Sequence, residues 1–165
     1  MEYVSFQNTV LPLSDRLFRL ALRITMNRAE AEDVVQDTLL RVWEHRSEWE
    51  QIDSLEAFAI ATCRNRAIDV TKRAGRNTVP LDKVEGVHLS APGTQRSLEA
   101  REQLSHVRRL MDSLPELQRT IMHLRDIEGR SYSEIAEALG ISETQVKVYL
   151  HRARTKVKEG LKIRE

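Results

Sequence analysis

Two long stretches of apolar residues at three- and four-residue spacing, parted by one break rich in glycine and proline, constrain this chain more than any other feature. That spacing belongs to helices laid against a shared core, and no run alternates apolar and polar residues as a half-buried strand does. The expected fold is therefore all-α. The break covers 75–98, where Gly75, Pro80, Gly86, Pro92 and Gly93 stand among polar residues without sustained periodicity, and it reads as a flexible linker. A chain of 165 residues has room for two small helical domains, so the expected units are 1–74, the linker 75–98, and 99–165.

In the first unit Phe6, Val10, Leu13, Leu17, Leu20, Ala21 and Ile24 line one helix face, and Pro12 kinks that helix or marks its start. Asn27 offers an N-cap to a second helix ending near His45, with Glu30, Glu32 and Asp33 where carboxylates complement the positive helix end. Asp53, three residues before Glu56, resembles a capping box and opens a third helix to about Arg73. Beyond the linker the period returns through Leu104, Val107, Leu110, Met111 and Leu114. Pro115 stands at a first helical position, and Gly129 stops the helix it opens.

Composition narrows the function classes. A net charge of +1 points to no partner, but 144–164 carries Lys147, Arg152, Arg154, Lys156, Lys158, Lys162 and Arg164 against Glu159 alone. Such a basic end either faces phosphates or complements a helix dipole. The single cysteine excludes an internal disulfide framework, and Cys63 reads as a small buried apolar residue. Charges interrupt every apolar run short of the ~20 residues of a membrane helix. The N-terminus also lacks the layout of a signal peptide. No membrane segment and a cytoplasmic location are expected. No glycine-rich phosphate loop, metal-ligand cluster or supported Cys–His pair is visible, so no catalytic residues, metal or cofactor are expected.

Residues 131–155 have the layout of a helix-turn-helix. Ile135, Ala136 and Leu139 face inward, Gly140 supplies a left-handed turn, Ile141 plugs it, and Ser142 caps the next helix. At ~100° per residue, Val146, Leu150, Ala153, Val157 and Leu161 form one buried stripe. Thr144, Lys147, Val148, His151, Arg152 and Thr155 then fall on the open side, in the turns that enter a major groove. Val148 reads as a contact to a thymine methyl or as a plain surface valine. Arg154 and Lys156 lie toward the flanks, suited to phosphates.

The same rotation applied to the second helix puts Ala31, Val35, Thr38, Leu39 and Val42 inward. Asp33, Gln36, Asp37, Leu40 and Glu44 lie opposite. An apolar residue ringed by carboxylates suits a basic partner surface, although a loop of this chain could equally cover Leu40. The third helix ends in a basic stretch, Arg64, Arg66, Lys72 and Arg73, with Arg76 beyond and only Asp69 opposing. Asn65 could read a base or bond within the domain, and Trp49 could stack on an unpaired base or pack locally.

These residues resemble bacterial sigma factors of the sigma-70 family. Ala29-Glu-Ala-Glu-Asp-Val-Val-Gln-Asp-Thr-Leu-Leu-Arg-Val-Trp43 is similar to the region 2 helix, and Phe58–Arg73, with Arg64-Asn-Arg-Ala-Ile-Asp69, to the promoter-melting helix that follows. Leu114-Pro-Glu through Arg154, including Val146-Lys-Val-Tyr-Leu-His-Arg-Ala-Arg154, is similar to region 4. The short chain, with these two regions alone, resembles the extracytoplasmic-function (ECF) group. The resemblance implies that Asp33, Gln36, Asp37, Leu40 and Glu44 dock on the clamp helices of the core RNA polymerase β′ subunit. It implies −10 contacts from Trp49 in the loop 46–54 and from Arg64, Asn65, Arg66, Lys72 and Arg73. It implies −35 duplex contacts from Ser142, Thr144, Lys147, Val148, His151, Arg152 and Arg154, near the polymerase β flap. An anti-sigma partner is implied by the family alone. Ala59, Ile60 and Ala61, and Val148 with Tyr149, depart from the family pattern, so a promoter preference does not carry over. The rival reading is a stand-alone helix-turn-helix regulator dimerising on a palindrome, which leaves the acidic face of 33–44 and the basic stretch 64–76 without a role.

Overall fold

The computed structural model describes residues 6–75 and 98–163, and every regular element among them is helical. The linker assigned to 75–98 thus lies, apart from its two end residues, outside the described residues, as does Arg76. A wide turn over Phe6–Val10 and a tight one over Leu11–Leu13, which contains Pro12, lead into helix α1, Ser14–Thr25. α1 stops at Met26, a left-handed residue (φ 55°) whose N–H donates to Leu22 O at 2.8 Å. The side chain of Asn27 accepts from Glu30 N–H at 3.0 Å and opens α2, Arg28–Glu44. A tight turn over Arg46–Gln51 follows.

Ser54, not Asp53, caps α3 (Leu55–Arg73): its hydroxyl accepts from Ala57 N–H at 3.1 Å. The Asp53–Glu56 spacing suggested a reciprocal cap. Ser54 instead holds the extended φ of −143° that aims its oxygen at the first turn, and Glu56 faces another partner.

Helices α4 (Leu98–Asp112) and α5 (Glu116–Met122) come next, with Pro115 one residue outside α5 as its N-cap. α5 widens into a π-helical turn over His123–Ile127 before Gly129 reverses the chain. α6 (Tyr132–Leu139) and α7 (Glu143–Ile163) complete the fold. At Gly160 a Cβ would lie 2.4 Å from Leu110 Cδ2, so glycine there lets α4 cross close to the end of α7.

α1, α2 and α3 pack on one another around Leu17, Leu20, Ile24, Val34, Val42, Ile60 and Cys63. Ile121, Leu124, Ile135, Val146, Leu150 and Ala153 fill the space among α5, α6 and α7. These groups are parts of one continuous apolar cluster, because α3 also packs on α6 and α1 on α5 and the turn after it. Ala57, Ala59 and Ala67 are buried along α3, where small side chains let neighbouring helices approach. The departures from the family pattern at Ala59 and Ile60 are therefore core positions.

Candidate nucleic-acid interface

The recognition unit is built by reciprocal caps. Ser131 accepts from Glu134 N–H at 3.1 Å while Glu134 accepts from Ser131 N–H at 3.3 Å, and the Ser131 hydroxyl and N–H, in that order, hold the Glu134 carboxyl below its ordinary range. Gly140, at φ +67°, ends α6, and Ile141 N–H donates to Ala136 O at 3.1 Å. Ser142 accepts from Gln145 N–H at 3.1 Å while its own N–H donates to Gln145 Oε1 at 2.9 Å. The expected cap at Ser142 is thus a capping box, which occupies the side chain also assigned to DNA.

α7 buries Val146, Leu150, Ala153 and Val157 and half-buries Leu161, as the helical rotation requires. Thr144, Lys147, Val148, His151, Arg152 and Thr155 are exposed, Val148 by 42%. Lys147 Nζ lies 5.5 Å from the Tyr132 ring centre and the Arg152 guanidinium 5.8 Å from that of the half-buried Tyr149. Among the described residues no carboxylate pairs with Lys147, His151 or Arg152. Arg154 differs: its Nε donates to Asp126 at 3.0 Å, and this pairing raises it further above the usual guanidinium range.

On α2, Asp33, Gln36, Asp37, Leu40 and Glu44 are all exposed, Leu40 by 57%, and no described loop covers it. Between α2 and α3 lies a cleft of about 620 Å³ lined by Arg41, His45, Phe58, Asn65, Arg66 and Lys72 among others. The His45 and Phe58 ring centres are 5.6 Å apart. Aromatic walls beside an amide and cations suit an unstacked base and its phosphate.

Three of the α3 cations are engaged. Arg64 Nε and Nη2 each donate to one oxygen of Glu116 at 2.8 Å. Arg66 pairs with Asp37 at 2.9 Å and with Asp69 at 3.4 Å, and Arg73 with Asp69 at 3.4 Å. Trp49 packs locally: it stacks on Phe6 with centroids 6.3 Å apart, meets Trp43 edge-on, and donates its ring N–H to Val42 O at 3.1 Å.

The contact between the two halves was not foreseen. Arg23 pairs with Asp112 at 3.1 Å. Arg130 bonds to Glu56 and also meets Glu128 at 3.3 Å and Glu134 at 3.6 Å. His123 is buried, with Nε2 at 3.5 Å from Glu128. Burial pushes the His123 imidazole down, with Glu128 opposing. Burial would raise the Glu128 carboxyl, but His123 and Arg130 together bring it below its ordinary range. Burial also raises the Asp112 carboxyl despite Arg23, lowers Arg119, and pushes the Cys63 thiol up to about 12. The one available signal was in 118–124, where Gln118, Arg119 and Thr120 interrupt the apolar run. All seven positions are buried, so the segment has no wet face.

Among the described residues no cluster of His, Cys, Asp or Glu could hold a metal, and no helix is long and apolar enough to cross a membrane. Residues 10–77 match the family model for sigma-70 region 2, and residues 105–157 that for sigma-70 region 4. The chain is 30% identical to the ECF RNA polymerase sigma factor SigE of Mycolicibacterium smegmatis, over 95% of this chain and 62% of that protein. It is 35% identical to the ECF RNA polymerase sigma factor SigL of Mycobacterium tuberculosis, over 83% of this chain and 77% of that one. It thus spans less than two thirds of the SigE relative but more of SigL. Its fold matches that of the sigma factor RpoE, solved in complex with the anti-sigma factor NepR from Bartonella quintana, with a TM-score of 0.72 and 26% identity over 97% of this chain and 98% of that one. Both regions, in this order and over most of the chain, place it in the sigma-70 family: the chain belongs to the ECF RNA polymerase sigma factors.

Proposed function

We propose that this chain is a dissociable subunit that directs core RNA polymerase to a subset of promoters, working in the cytoplasm without catalytic activity of its own. The units 1–74 and 99–165, joined by 75–98, divide the work. The acidic face of α2 docks on the β′ clamp helices through Asp33, Gln36, Asp37, Leu40 and Glu44. The cleft beside Asn65 and Lys72, with Arg64, Arg66 and Arg73, takes the separated −10 strand, and Trp49 anchors the neighbouring loop. Thr144, Lys147, Val148, His151 and Arg152 on α7 read the −35 duplex near the β flap, and Ser142 and Arg154 border it. Duplex sequence is read by a helix in the major groove, whereas melted bases are captured singly by stacking and hydrogen bonding. An anti-sigma factor, of the kind bound to the Bartonella relative, is proposed as the inhibitor.

The observation that carries this reading is Leu40, a large apolar side chain left 57% exposed among carboxylates on the face opposite the core. The test is run-off transcription from genomic fragments by core polymerase with this protein or its Leu40→Arg variant. Discrete new transcripts are expected with the parent and none with the variant. Transcripts that persist with a folded Leu40→Arg protein would remove the docking assignment, and none with the parent would favour a stand-alone regulator.

A further inference from the structure

The contact between α3 and α5 ties DNA access to the packing of the two halves. Arg64 is among the cations proposed for the −10 strand, yet its guanidinium faces Glu116 with both bonds at 2.8 Å, and its side chain is only 18% exposed. Thr120 Oγ1 donates to Glu116 Oε1 at 2.9 Å and fixes the carboxylate one turn along α5. Two carboxylate oxygens set against the guanidinium fork reproduce the way arginine takes a phosphate. Glu116 belongs to the half that carries the −35 helix. One ion pair therefore both joins the halves and occupies a cation meant for DNA.

We infer that Glu116 is a built-in phosphate mimic: with the halves packed together it holds Arg64, and a phosphate of the −10 strand replaces it when they separate. The inference rests on the −10 role proposed for Arg64. Among the described residues the other cross-half pairs, Arg23–Asp112 and Arg130–Glu56, engage no residue assigned to DNA. They hold the arrangement closed, and Glu116 decides what it masks. The isolated chain is therefore expected to bind the −10 strand weakly although both recognition surfaces are present.

The experiment uses the full chain with E116Q, E116D, R64Q and the E116Q/R64Q pair. Glutamine keeps an acceptor for Thr120 and removes the charge; aspartate keeps the charge and shortens its reach. Anisotropy of a labelled A·T-rich single-stranded DNA of about 20 nucleotides, without polymerase, reports affinity. E116Q is expected to bind about threefold to tenfold more tightly than the parent at low salt, E116D less so, with the gain absent in E116Q/R64Q. Equal affinity of parent and a folded E116Q overturns the inference. So does a gain that survives in the R64Q background, since losing one negative charge would then suffice. If E116Q fails to fold, E116D is compared in its place with a smaller gain expected, and no gain in a folded E116D overturns the inference. Run-off transcription by the parent separates the two readings: parental transcripts with no E116Q effect sink the mimic alone, and no parental transcripts sink the sigma assignment beneath it.

Discussion

Helices α3 and α7 both carry a basic stretch on an amphipathic frame, and they meet opposite fates. On α7 the cations Lys147 and Arg152 lie over aromatic rings and face solvent. On α3 the cations Arg64, Arg66 and Arg73 are each held by a carboxylate. Rotation about a helix axis says which side chains leave the core together, as it did on α7. It says nothing of what stands opposite. α7 presents its basic side outward, whereas α3 lies between α2 and the C-terminal helices, so Arg66 meets Asp37 and Arg64 meets Glu116, while Arg73 pairs within α3 with Asp69.

Buried and open charges should respond differently to deletion. The largest effect is expected at Glu128, whose side chain is 3% exposed against an Arg130 side chain 4% exposed. Glu128→Ala leaves that guanidinium and His123 short of a partner and should cost about 3 kcal/mol, read as a fall in Tm on the order of 10 °C. A fall of only a degree or two would show that Glu56 and Glu134 suffice for Arg130.

On the open helix, Lys147→Ala with Arg152→Ala should leave Tm almost unchanged. It should weaken polymerase-dependent binding to the −35 duplex about tenfold to a hundredfold, with a salt slope shallower by about two. Unchanged binding would remove these residues from the interface. The smallest effect is expected at the exposed Asp126–Arg154 pair: Asp126→Ala should alter stability by less than about 1 kcal/mol and leave Arg154 available to phosphate. A larger loss would make Asp126 a structural anchor of the turn before α6.

Much of the fold was legible because it depends on neighbours within a turn or two. The Asn27 cap, the stop at Gly140, the stripe from Val146 to Leu161 and the exposed Leu40 all follow from helical spacing and capping chemistry. The left-handed Met26 was not, because a methionine carries no preference for that backbone region. The cap at Ser54 was missed because the neighbouring Asp53–Glu56 spacing imitates a better one. The stacking of Trp49 on Phe6 was not legible either, because it joins residues 43 positions apart.

By itself the sequence determined two helical blocks, the inward and outward sides of α2 and α7, and the motifs that mark the family. These follow from local hydrogen bonding and from apolar side chains leaving water together. The tertiary structure alone decided that the blocks share one core, that Glu116 occupies Arg64, and that His123 and Arg130 lie buried between them. Those pairings join residues as far apart as Glu56 and Arg130, and no local rule relates side chains at such distance until the fold brings them into contact.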